Sequence, residues 1–231
     1  MTVHNFRAFV DQTHYDEVSL PQRRDPGRKL YISYGKRGFD LAVAMILLPL
    51  LAPVIALLWR AARRDGGPGF FGHARIGRDG TPFRCWKIRT MAPDAEELLH
   101  RYLRDTPDAA AEWRRERKLS CDPRITRWGH FLRRTSLDEL PQIWNVLRGE
   151  MSLVGPRPVV MAELVRYGTH CGAYLSMRPG VTGLWQISGR NSVSYRERVV
   201  FDVTYCQSCS LRRDLTILLR TVFCVLRRTG H

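Results

Sequence analysis

Hydrophobic and polar positions are unevenly divided along the chain. Residues 1 to about 28 are polar, with Pro21, Pro26 and Gly27 near the end, and read as a loosely ordered arm. From Leu41 to Trp59 the sequence LAVAMILLPLLAPVIALLW carries no charge over 19 residues, close to the length that crosses a bilayer. Its Leu, Ile and Val residues together favour insertion by about 3–6 kcal/mol. Mostly polar residues precede it and no small-residue cleavage site follows, which excludes a cleavable signal.

Pro49 and Pro53 interrupt the middle of this segment, and each removes a helical hydrogen bond. Both flanks are basic, with Arg28, Lys29, Lys36 and Arg37 before and Arg60, Arg63 and Arg64 after. Basic flanks favour the cytoplasm, so both are satisfied when the chain enters and leaves by one face. The expectation is a re-entrant helix hairpin broken near Ala52-Pro53. A kinked full span and a buried soluble helix are the competing forms.

Downstream, Asp65-Gly66-Gly67-Pro68-Gly69 is a turn-rich break. Two β-like pieces follow, Phe70–Arg75 and Phe83–Ile88, around the turn Arg78-Asp79-Gly80. Residues 93 to about 118 predict a charged helix or helix pair with a narrow apolar face at Leu98, Leu99, Tyr102 and Leu103. Another helix runs from near Pro141 to Leu147, with Gly149 as its C-cap. Residues 176–195, rich in Gly, Ser and Asn, read as loop. Leu211–Arg228 reads as a basic amphipathic helix, suited to a core or to an anionic membrane surface.

The fold class expected is α+β and mostly helical: a small membrane-associated domain with a re-entrant membrane helix and amphipathic interfacial helices. The chain divides into a polar arm (1–28), the membrane helix (29–64) and a domain on the cytoplasmic face (65–231) that ends in the amphipathic helix and holds the candidate chemistry below.

A formal net charge of +15 calls for an anionic partner: nucleic acid, a phosphorylated substrate or anionic lipid. The six cysteines are scattered. Cys206 and Cys209 alone have metal-like spacing and lack a second pair, so the cysteines read as small packing residues in a reducing compartment. The Walker-type loop, the Gly-x-Gly-x-x-Gly fingerprint and the His-Glu-x-x-His motif are absent from the sequence.

The densest candidate chemistry is Arg133-Arg134-Thr135-Ser136-Leu137-Asp138-Glu139-Leu140-Pro141-Gln142. A structural reading accounts for much of it: Ser136 and Glu139 form an S-x-x-E capping box, with acidic residues in a first helical turn. The same arrangement serves chemistry. An ionised Asp138 beside Arg133 can attack phosphorus, and Glu139 can hold Mg²⁺, which needs few carboxylates when substrate phosphates contribute. In Gly155-Pro156-Arg157-Pro158 the prolines stiffen the backbone around Arg157, which suits bidentate phosphate binding or simply an exposed turn. Lys87 and Arg89 follow a strand and, taken alone, read as a solvated edge.

Taken together, the ordered motifs resemble the bacterial sugar transferases, the monotopic phosphoglycosyl transferases that start exopolysaccharide and glycan assembly. The resemblance runs from about Lys36 to Arg228. It is carried by Lys36-Arg37-Gly38-Phe39-Asp40, Lys87-Ile88-Arg89-Thr90-Met91, Asp122-Pro123-Arg124-Ile125-Thr126, the Leu132–Gln142 and Asn145–Pro158 stretches, Arg178–Gln186 and Ser188-Gly189-Arg190. It implies transfer of a hexose-1-phosphate from a UDP-sugar to undecaprenyl phosphate with release of UMP, at the cytoplasmic face of the bacterial inner membrane. It further implies Asp138 as the nucleophile, Glu139 as a ligand of a Mg²⁺ cofactor, and Lys87, Arg133 and Arg157 around the phosphates. Gln186, Arg190 and, on a looser match, Asp214 are further candidates. Where the family's broken helix usually carries Ser-Pro, this chain has Ala52-Pro53, which keeps the proline and loses one helper hydrogen bond. The expected partners are the UDP-sugar, undecaprenyl phosphate and the inner leaflet, with no nucleic acid and with a homodimer left open. A basic membrane-associated adaptor or nucleic-acid-binding module also explains the charge, but gives Asp138-Glu139 and Pro-Arg-Pro nothing to do, and no nucleic-acid motif is recognisable.

Overall fold

The computed structural model describes residues 30–116, 119–188 and 193–226. The polar arm, Arg190 and the last basic residues of the C-terminal stretch lie outside the described residues. A π-turn at Tyr31–Gly35 leads into α1 (Lys36–Ala62). An antiparallel hairpin follows, β1 (Phe70–Ile76) and β2 (Pro82–Ile88), in register Phe71↔Lys87, His73↔Cys85 and Arg75↔Phe83. Its turn is set by Asp79 and Gly80, at φ 57° and 78°. Next come α2 (Ala95–Asp105), α3 (Pro107–Glu116), α4 (Arg127–Thr135), a 3₁₀ turn (Leu137–Glu139) and α5 (Gln142–Arg148). Strand β3 (Ser152–Val154) is followed by α6 (Met161–Leu164), a 3₁₀ segment (Val165–His170) and α7 (Cys171–Leu175). Then β4 (Gly180–Thr182), α8 (Leu184–Ile187), α9 (Tyr195–Ser208) and α10 (Leu211–Leu226) complete the order. The described residues are mostly helical, with two two-stranded sheets among them. The stretch 176–195, expected as loop, contains β4 and α8. The correction comes from tertiary pairing, since β4 exists by lying parallel to β3.

The apolar segment forms one helix across Lys36–Ala62 that continues through both prolines, so the break expected near Ala52-Pro53 is not present: Pro49 and Pro53 lie on its exposed face, and the opposite face is held by packing on the core. At about 40 Å it is long enough to cross a bilayer. Its inner stripe runs Lys36, Asp40, Ala44, Leu48, Leu51, Ile55, Leu58, Ala62, a helical 3–4 spacing that packs on the rest of the chain along its whole length. At the start, Arg37 donates to the carbonyls of Val146 (2.5 Å) and Leu147 (3.0 Å). Lys36 lies 3.1 Å from Asp40 and 2.8 Å from Asp214, and Ser152 Oγ donates to Asp40 at 2.7 Å. At the end, Leu58 and Ala62 pack against Ile88 and Leu132. The outer face exposes Met45, Ile46, Leu50 and Leu57.

α10 has a buried face and an exposed apolar one. Asp214 and Ile217 are buried, while Leu215, Leu219, Val222 and Phe223 are exposed. Cys85, Cys171, Cys206 and Cys209 fill the two main cores as small buried residues.

Candidate active site

α4 and the 3₁₀ turn after it bring the acidic pair to the hairpin. α4 starts at Thr126, whose hydroxyl accepts from Gly129 N (2.9 Å). Gly129 passes so close to the hairpin that a Cβ there would sit 2.0 Å from Thr90 O. This close approach lets Arg133 donate through Nε to Thr90 Oγ1 at 2.9 Å. The helix ends at Ser136, a non-glycine residue in the left-handed region (φ 57°, ψ 17°) at a cost of about 1 kcal/mol. The expected Ser136–Glu139 capping box is therefore not formed, and Ser136 makes no side-chain cap. The left-handed turn redirects the chain and sends the Glu139 carboxylate to Lys87.

Lys87, on β2, stands over both acids. Its Nζ is 2.6 Å from Glu139 Oε1 and 3.8 Å from Asp138 Oδ2. Burial works to lower the ammonium's pKa, but Glu139 and Asp138 outweigh it and the net shift is upward, so Lys87 stays charged. Asp138 is buried. Desolvation is the largest effect on its carboxyl, Lys87 and Arg133 oppose it, and the net result is a pKa pushed up to about 6. The sequence alone predicts a carboxylate held ionised by its neighbours. The structure keeps it ionised at neutral pH with a smaller margin, because burial exceeds the cations' help. Cys85, on the same hairpin face, is pushed up to about 11 by burial, and is inert as a nucleophile.

Arg89 is not a solvated edge. It donates from Nε to Pro68 O (2.6 Å), from Nη1 to Met91 O (2.5 Å) and from Nη2 to Ala62 O (2.6 Å), and it pairs with Asp65. It is a structural knot that ties the end of α1 to the strand carrying Lys87.

Arg157 occupies a second basic centre. Gly155 presses against β4, where a Cβ would meet Arg178 O and Gly180 N at 2.6 Å, and Gly180 N donates to Pro156 O at 2.8 Å. Arg157 N donates to Asp202 Oδ2 (3.3 Å), and its guanidinium lies 3.9 Å from Glu163 Oε1 and over the Trp185 ring. Arg198 also lies over that ring, with its Cζ 5.1 Å from the centroid. Among the described residues no hydrogen bond or ion pair joins Arg157 to Asp138 or Glu139. Between the two centres, His73 and Arg75 of β1 share the Lys87 face of the hairpin: Arg75 Nη1 contacts Glu163 Oε2 at 3.2 Å, and Arg75 Nη2 lies 3.4 Å from His73 Nδ1. Neither residue stands out in the sequence, although their period-two spacing across the turn from Lys87 is visible there.

Gln186 donates weakly to Val181 O (3.5 Å), and its buried Oε1 has no partner. Asp214 is not in this site. It accepts from Tyr31 OH and Tyr205 OH, each at 2.7 Å, and holds Lys36, so it fastens α1 to α10.

Among the described residues there is no cluster of three or more metal-binding side chains. A Mg²⁺ bound mainly through substrate phosphates and water needs only one or two carboxylates. Partly exposed Glu139 beside buried Asp138 is a donor set that fits this mode.

The profile of the bacterial sugar transferase family matches residues 31–228, so its span includes every described candidate residue. The chain is 54% identical over 195 residues to a UDP-galactose-lipid carrier transferase of Erwinia amylovora, covering 84% of this chain and 41% of the relative. It is 50% identical over 214 residues to an undecaprenyl-phosphate galactose phosphotransferase of Salmonella typhimurium, covering 93% and 45%. It is 50% identical over 196 residues to the exopolysaccharide production protein ExoY of Rhizobium meliloti, covering 84% and 87%. The chain thus spans less than half the length of the first two relatives and most of the third. This chain belongs to the bacterial sugar transferase family.

Proposed function

We propose that the protein transfers a hexose-1-phosphate from a UDP-sugar to undecaprenyl phosphate, releasing UMP, as the first step of exopolysaccharide or glycan synthesis. The observation that carries this reading is Lys87 poised over the Asp138–Glu139 pair, with Asp138 buried but ionisable near neutral pH. Asp138 Oδ attacks the sugar-proximal phosphorus, the bond to the UMP oxygen breaks, and UMP leaves with that electron pair. A phosphate oxygen of the lipid then attacks the same phosphorus, which breaks the aspartyl–phosphorus bond and restores the carboxylate. Lys87 and Arg133 stabilise charge on the phosphoryl oxygens in a partly desolvated site, where such contacts are strongest. Glu139 would hold Mg²⁺, which when bound would neutralise charge on the diphosphate.

The membrane reading is one-sided. Both ends of α1 are fastened to the same polar body, through Arg37 and Lys36 at one end and Arg89 at the other. A full crossing would pull either end of the helix away from that body, whereas a helix lying with its exposed apolar face in one leaflet keeps both contacts. This supports association with one leaflet, and the basic flanks favour the cytoplasmic one.

Release of UMP from a panel of UDP-sugars, with Mg²⁺ and undecaprenyl phosphate, tests the reaction. UDP-galactose is the first donor to try, given the names of the Erwinia and Salmonella relatives. No release from any sugar, together with steeply salt-dependent nucleic-acid binding, would overturn it.

A further inference from the structure

A cluster of positive charge outside the site lies at the end of α1. Trp59, Arg60, Arg63 and Arg64 line a cavity of about 440 Å³, with the Arg63 guanidinium 4.7 Å from the Trp59 ring centroid. Among the described residues, none of these three arginines has a carboxylate within ion-pairing distance. Asp65, next in sequence, is committed to Arg89. The negative end of a helix favours cations, but that explains neither a cavity nor three unneutralised guanidiniums crowded around it. Repulsion among them is relieved by a bound anion, and planar guanidiniums suit phosphate in particular.

Two features narrow the anion to a lipid headgroup. The exposed apolar face of α1 runs up to the cavity, with Leu57 70% exposed one turn before Ala61, and a Trp–Arg rim is typical of the bilayer interface. A second cavity of about 340 Å³ shares Arg64 and continues to Arg89, Thr126 and Trp128. Thr126 N donates to Thr90 O (3.1 Å), and Thr90 Oγ1 accepts from Arg133, the arginine beside Asp138. The second cavity thus leads from the arginine cluster to Thr126, two hydrogen bonds through Thr90 from Arg133.

We propose that the Trp59–Arg60–Arg63–Arg64 cavity receives the phosphate monoester of the lipid acceptor before it passes to Asp138. This rests on the transfer reaction above. The full chain is compared with Arg60→Gln/Arg63→Gln in nanodiscs, in phosphatidylcholine alone and in a phosphatidylethanolamine–phosphatidylglycerol mixture. The expected result in both backgrounds is a KM for undecaprenyl phosphate raised at least about tenfold, as for loss of one or two charge-assisted hydrogen bonds. The KM for the UDP-sugar should stay unchanged, and Arg60→Lys/Arg63→Lys should recover some of the loss. An unchanged lipid KM overturns the proposal, and so does a rise confined to the anionic mixture, which would make the arginines a contact for bulk phospholipid. Native mass spectrometry with undecaprenyl phosphate provides a readout independent of turnover. Retention by the wild type and loss in the Gln variant supports the site even if no UDP-sugar is turned over, and equal retention by both overturns it.

Discussion

Arg89 donates to the carbonyl of Ala62 at 2.6 Å, so the last turn of the apolar helix is fixed to the strand that carries Lys87. The same guanidinium serves Pro68 O, Met91 O and Asp65. Arg89→Met would strand these acceptors in a buried setting, with an expected stability loss of about 2–4 kcal/mol. A lowered Tm in detergent checks this, and a variant as stable as wild type would show that the knot is dispensable.

Lys36 is the single ammonium between two buried carboxylates, Asp40 and Asp214. Lys36→Met leaves both uncompensated, and the expected cost is about 3–5 kcal/mol. Limited proteolysis should then cut the variant at temperatures where wild type resists.

The acid limb of the pH–rate profile should reflect Asp138. Its folded-state carboxyl is raised to about 6, so the proton stays on below that pH and the nucleophile is lost. Half-maximal donor cleavage is expected near pH 6 rather than near the ordinary carboxylate value of about 4. Lys87 opposes the rise, so Lys87→Met should move the limb to higher pH and lower the maximum. A limb that stays in place in the variant would remove Lys87 from the site's electrostatics.

One-sided insertion is checked by cysteine labelling of intact cells in a cysteine-free background. Ser33 and Pro68 are exposed at the two ends of α1 and suit the purpose. Gly67 does not, because a Cβ there would meet Arg89 Nη2 at 2.8 Å. Both cysteines should stay unlabelled by an impermeant reagent until the membrane is opened. Labelling of either one from outside would contradict association with one leaflet.

Local patterns are legible in the sequence. The β1–β2 hairpin follows from two apolar runs around Arg78-Asp79-Gly80, and α5 from its span and the Gly149 cap. The helix α9 is hidden because its buried positions include Asp202 and Tyr205, which read as polar. The β3–β4 pair is hidden because Ser152 meets Gly180 through tertiary contact, with no turn to announce it. In the site, Asp138, Glu139 and Arg133 stand out in the sequence, Lys87 enters only through the resemblance, and the fold brings the four together. Their electrostatic balance is not legible, since it depends on how deeply the left-handed turn at Ser136 buries Asp138. The role of Arg89 escapes the sequence for a similar reason, because its acceptors are backbone carbonyls that carry no sequence signature.

The most direct test of the central claim is the intact mass of the protein after incubation with UDP-galactose and Mg²⁺ in the absence of lipid. The account predicts a mass increase of one hexose phosphate, an equal amount of UMP released, and loss of both in Asp138→Asn. Addition of undecaprenyl phosphate should then return the protein to its original mass. An adduct that persists in Asp138→Asn, or UMP release that requires the lipid to be present, would contradict the assignment of Asp138 as the nucleophile.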